Sequence, residues 1–85
     1  MKTITVPAGA TVTVNMTNND GVLHNLAVYQ TLNGGQTKPV FVGNIVAALE
    51  STIYTFTAPT EAGSYFFECD VHPFFMNGTF IVTIP

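Results

Sequence analysis

Hydrophobic and polar residues alternate along most of the chain. Residues 11–17 read Thr, Val, Thr, Val, Asn, Met, Thr, which predicts a half-buried strand with Val12, Val14 and Met16 on its apolar face. Ile4 and Val6 share one face of a shorter strand before it, and Pro7-Ala8-Gly9 turns the chain between the two. Asn18-Asn19-Asp20-Gly21 is a second turn, and the stretch from Val22 to Tyr29 is expected to form a third strand. A polar loop is expected from Thr31 to Lys38, tipped by Asn33-Gly34-Gly35. Beyond Pro39 the pattern is hardest to read; a strand ending at Gly43 is followed by an irregular crossing segment or a short helix, and strand and loop fit it better.

Thr52, Tyr54 and Phe56 alternate with Ile53, Thr55 and Thr57, so a further strand turns its aromatics inward. The stretch 58–63 turns the chain, a strand runs from Ser64 to Glu68, and Phe80, Val82 and Ile84 are expected to share the core face of the last strand. No segment has helical periodicity. About seven short strands separated by turn signals predict an all-β fold, a Greek-key antiparallel β-sandwich. At 85 residues, with no linker, repeat or low-complexity tract, residues 1–85 are read as a single domain. A chain of this length buries about 60 to 65% of its unfolded surface, so its core is modest.

Charge narrows the function classes. Only 8% of residues are charged, the formal net charge is −3, and Lys2 and Lys38 are the only strong bases. Nucleic-acid binding calls for clustered Lys or Arg that displace counterions from phosphates, and an acidic lipid surface makes the same demand. No nucleic-acid partner and no membrane insertion are expected, and a monomer is. No signal peptide and no bilayer-spanning apolar run is visible, and Met1-Lys2 directly ahead of a strand fits a mature domain cut from a longer precursor and given a start codon, or equally an intracellular full-length protein. The sequons Asn15-Met16-Thr17 and Asn77-Gly78-Thr79 are short motifs that arise often by chance.

The chemistry gathers in residues 65–80, YFFECDVHPFFMNGTF. The only cysteine, Cys69, stands where a strand gives way to a loop, and His72 and Met76 follow it. One cysteine excludes an internal disulfide. Thiolate, imidazole and thioether suit copper, and a trigonal His/His/Cys set with a weak axial Met is the mononuclear electron-transfer copper site. The one other histidine is His24. A lone cysteine is usually a small buried hydrophobe and a lone histidine a satisfied structural side chain. Here both histidines and the cysteine fall together into one ligand pattern.

The pairing of an upstream His24-Asn25 with a downstream Cys69-x-x-His72-x-x-x-Met76 loop resembles the blue copper proteins, the cupredoxins, in their plastocyanin-like branch. ITVPAGATVTVNMTNNDGVLHNLAVY and TIYTFTAPTEAGSYFFECDVHPFFMNGTFIV carry the likeness over nearly the whole chain. The resemblance implies a sandwich with one type 1 copper ion at one end between the sheets, and His24, Cys69, His72 and Met76 as its ligands. It implies that Asn25 ties its strand to the ligand loop beside the cysteine, while Asp70 stands where relatives often have a small hydroxyl residue. It also implies a one-electron carrier with an exposed His72 edge. Around that edge Pro73, Phe74, Phe75 and Leu23 form an apolar patch where a redox protein partner docks transiently. An extracytoplasmic location, periplasmic or cell-surface, is expected from the family.

Other readings stand beside this one. A copper-delivery module favours exposed, exchangeable ligands, and the chain also fits the copper domain of a larger redox protein. An enzyme needs an open copper position or further coppers, for which no histidines remain; no enzymatic activity is expected. A dinuclear copper centre lacks its second cysteine. Structural zinc takes four strong ligands, and a thioether is a poor fourth. A nucleophile set of Cys69, His72 and Asp70 is the remotest option.

Overall fold

The computed structural model describes residues 2–19, 21–71 and 77–84. The expected ligands His72 and Met76, and Pro73, Phe74 and Phe75 between them, lie outside the described residues. Seven strands are described: β1 (Lys2–Pro7), β2 (Thr11–Thr17), β3 (Ala27–Thr31), β4 (Thr37–Val42), β5 (Ser51–Thr57), β6 (Gly63–Glu68) and β7 (Asn77–Thr83). They form an all-β sandwich of two sheets, five strands in the order β1-β7-β6-β3-β4 facing the two-stranded pair β2-β5.

The alternation read from the sequence is what packs the sheets. Val12, Val28, Ala58, Tyr65, Phe80 and Val82 are buried together, and Ile4, Val6, Val14, Phe56 and Phe67 close around them. Phe56 stacks on Phe41 with centroids 4.5 Å apart and reaches Phe80 at 6.1 Å, so one ring from β5 links β4 to β7 through the core. The aromatics of β5 point inward, as the pattern requires.

Three expectations are corrected. The third strand begins at Ala27, so His24 lies ahead of β3, in an isolated antiparallel bridge with Val46. Five consecutive residues, His24 to Val28, are buried, which erases the period of two that would mark a strand boundary. Ile84 is 83% exposed, because the last β1–β7 partner pair is Pro7 with Thr83 and no strand lies beyond it. Finally, β1 and β7 run parallel, the one parallel pair among the described strands; the other pairings are antiparallel.

The bonding edge of the small sheet follows from its ends. Ala58 N donates to Ala10 O and Asn18 N donates to Glu50 O, and both pairs continue the register in which Val14 lies directly opposite Tyr54. The hydrogen-bonded pairs are therefore the even-numbered residues of β2, and Thr13 turns its N–H to the open edge. Val14→Pro strands the Tyr54 carbonyl and costs about 1–3 kcal/mol more than Thr13→Pro, in urea unfolding of both variants. Equal losses would contradict this register.

Candidate metal centre

Two segments distant in sequence are pinned side by side at one end of the sandwich. His24 N donates to Val46 O at 3.2 Å and Val46 N donates to His24 O at 2.7 Å; Gly43 N donates to Leu26 O at 2.8 Å. Residues 24–26 thus run against 43–46. The buried Asn18 amide supports this pairing from below, with Nδ2 within hydrogen-bond reach of Val22 O at 2.8 Å, Val46 O at 3.1 Å and Ala47 O at 3.2 Å. Tyr54 O–H donates to Asn44 O at 2.6 Å, and burial raises that phenol's pKa. Gly43 is the point of closest approach, where a Cβ would stand 2.6 Å from the Tyr54 ring and 2.7 Å from Leu26 O. Only glycine fits there.

On this frame His24 and Cys69 meet. Both are buried, at 4% and 2% exposure, and Cys69 Sγ lies 3.6 Å from His24 Nδ1. Strand β6 delivers the cysteine: its last residue, Glu68, pairs with Ala27, and Cys69 is the first residue beyond it. Bonds of about 2.3 Å to sulfur and about 2.0–2.1 Å to nitrogen, opened to a tetrahedral or trigonal angle, set the two donors about 3.5–3.8 Å apart. The observed separation fits a shared metal ion. A thiolate and a neutral imidazole are also the donor chemistry of a copper site.

Asn25 ties the parts together. Its backbone N–H donates to Cys69 Sγ at 3.4 Å, its Nδ2 donates to Gly43 O at 3.1 Å and to Asp70 Oδ2 at 3.2 Å, and its Oδ1 accepts from Asp70 N at 2.8 Å. An N–H aimed at sulfur favours the thiolate. Asp70 in turn accepts a 2.8 Å bond from the Tyr29 hydroxyl. Burial chiefly, then the hydrogen bond to Asp70 and the charges of Asp70 and Glu68, push the Tyr29 phenol up to about 12. Glu68 is held above the usual carboxylate range, by burial first and then by its hydrogen bond to Asp70 and that group's charge.

Of the residues singled out in the sequence, the structure brings together His24, Cys69, Asn25 and Asp70, and leaves Leu23 beside them 51% exposed. Val22 and Val71 are exposed at the same end. Sequence reasoning missed Tyr29, Gly43 and Val46. Tyr29 and Asp70 are 41 residues apart, and no local pattern signals such a pairing; a glycine at a strand end was the single available sign for Gly43.

A buried cysteine and histidine converge at one end of the sandwich, and among the described residues no group of three or more His, Cys, Asp or Glu side chains that could hold a metal ion gathers there. The chain matches the family model of the cupredoxin-like domain over residues 1–82 and belongs to that family, whose members bind copper. Among solved structures it is similar to a purple cupredoxin from Nitrosopumilus maritimus, with 26% identity and a TM-score of 0.62, over 95% of this chain and 77% of that one. It is also similar to the Cu-containing nitrite reductase of Thermus scotoductus SA-01, with 25% identity and a TM-score of 0.57, over 99% of this chain. Lac15 from a marine microbial metagenome shares the fold at 20% identity and a TM-score of 0.71, over 99% of this chain. The chain spans only 20% of the nitrite reductase and 25% of Lac15. A search of the curated proteins found no match. Among the described residues, no helix is long and apolar enough to cross a membrane.

Proposed function

We propose that this domain is a type 1 copper protein that carries single electrons and catalyses no reaction of its own. The observation that supports the reading is the buried Cys69 Sγ and His24 Nδ1 pair at 3.6 Å. His72 and Met76, four residues apart in the sequence after Cys69, are proposed as the further imidazole and the thioether that would hold the ion. Copper, when bound, supplies a one-electron couple between its cuprous and cupric states.

The chain's own part is to hold the donors still. Backbone pairing holds both donors in place, through Glu68 with Ala27 directly before Cys69 and through the His24–Val46 bridge, and the Asn25 N–H supports the thiolate. Burial excludes water from both described donors. Outer groups of this kind fix ligand orientation and donor strength. A frame that moves little between oxidation states keeps the reorganisation small and the transfer fast. Val22, Leu23 and Val71 expose apolar surface at this end. Together with Pro73, Phe74 and Phe75, which follow His72 in the sequence, they are proposed as the landing surface for a transient redox partner. The family membership supports an extracytoplasmic location.

A second reading, the copper domain of a longer redox protein, is favoured by the nitrite reductase likeness, in which this chain is matched almost whole against a fifth of the other. Both readings predict the same behaviour in reduction. Copper-loaded protein treated with ascorbate and then reoxidised retains its metal and regains its spectrum over repeated cycles, with one reversible wave in voltammetry. Copper released on reduction would instead indicate delivery of the metal.

A further inference from the structure

We propose that Tyr29 is a positioning residue for the Cys69 ligand, acting through the carboxylate of Asp70, and that it thereby raises the reduction potential of the site; this rests on the copper reading above. Asp70 is exposed and directly follows the cysteine, so an untethered side chain there would leave the Cys69–Asp70 peptide loosely held. Instead it is gripped at three points. Tyr29 O–H donates to Oδ1 at 2.8 Å, Asn25 Nδ2 donates to Oδ2 at 3.2 Å, and Asp70 N donates to Asn25 Oδ1 at 2.8 Å. Both carboxylate oxygens are thus taken by donors from one short segment, residues 25–29, and the same segment presents the N–H that reaches Cys69 Sγ.

Tyr29 is well placed to hold this arrangement. It sits on β3, paired with Pro39 of β4 on one side and Phe66 of β6 on the other, and its ring stacks on Phe66 with centroids 5.4 Å apart and planes 24° from parallel. The high phenol pKa keeps it a donor throughout the physiological range. Electrostatics gives the direction. A carboxylate next to the thiolate favours the more positive oxidation state of a bound ion, and hydrogen bonds to its oxygens draw that charge away from the site. Removing the hydroxyl returns the charge and loosens the peptide that carries Sγ.

Tyr29→Phe keeps the ring and its stack and deletes only the O–H. In the copper-loaded chain it is expected to keep the thiolate–copper absorption while the reduction potential falls. In the metal-free protein, amide exchange at Asp70 measured by NMR is expected to quicken several-fold. In an Asp70→Ala background the same tyrosine change is expected to leave the potential unmoved, because the two residues act as one unit. An unchanged potential in Tyr29→Phe, or an equal fall with and without Asp70, overturns the proposal. If the wild-type chain shows no thiolate–copper absorption, the copper reading fails; the exchange rate of the metal-free protein then still decides the clamp, and an unchanged Asp70 amide overturns it.

Discussion

Cys69→Ser is expected to lose the intense visible absorption of the copper-loaded protein completely. The colour of such a site arises from the thiolate bond to copper, and a serine hydroxyl at the same place neither ionises at neutral pH nor offers a soft donor. Cys69 is 2% exposed and is the only cysteine of the chain, so no other thiolate takes over its role. Stability should change in parallel. A metal held by His24 and Cys69 joins segments 45 residues apart, and such a clip stabilises the folded state by its binding free energy. The wild-type chain is therefore expected to unfold at a higher urea concentration with copper than without, and Cys69→Ser to show a much smaller difference. Persistence of the colour in Cys69→Ser would rule out a thiolate–copper site.

Phe80→Ala is expected to cost about 3–5 kcal/mol of folding stability. Phe80 is 1% exposed, lies in β7 with Ile4 of β1 opposite on one side and Tyr65 of β6 on the other, and meets Phe56 from the facing sheet. The small sheet has only two strands to cover five, so few side chains are available to collapse into the cavity that alanine leaves. Domains of this length have a total stability of roughly 4–13 kcal/mol, from about 0.05–0.15 kcal/mol per residue, so the variant is expected to lie close to the folding threshold without metal. Urea unfolding of the metal-free protein measures it, with an unchanged slope and a lower midpoint. A loss under about 1 kcal/mol would mean that Phe80 is not the packing centre of the sandwich.

The strands that hold this core were readable because each has one wet face and one dry face. β2 alternates Thr with Val and Met, and β5 alternates Thr, Tyr and Phe with residues that the structure leaves exposed, so period two maps directly onto inside and outside. The segment bearing His24 was misread for the opposite reason: its run of five buried residues has no wet face, and the strand boundary at Ala27 is set by pairing with Val42 and Glu68, which no local pattern contains. Ile84 continues the alternation of Phe80 and Val82 but has no partner strand to lie against, and alternation alone does not report where a sheet ends.

At the site, residue types were legible and the frame was not. Soft donors are few in this chain, so Cys69 and His24 stood out against an otherwise Thr- and Val-rich background. Asn25 and Asp70 entered through the family resemblance, and the structure joins them by two hydrogen bonds across 45 residues. Tyr29 could not have been chosen, since one of three tyrosines in the sequence looks like any other packed ring. Its role exists only once β3 and β6 are side by side.

The measurement that tests the central claim most directly is the visible and EPR spectrum of the purified, metal-free protein after one equivalent of cupric ion. An intense absorption with narrow copper hyperfine splitting, complete at one equivalent, is the predicted result and corresponds to a thiolate-bound type 1 ion held by Cys69 and His24. A pale solution with wide hyperfine splitting, or uptake without an endpoint at one equivalent, would contradict it.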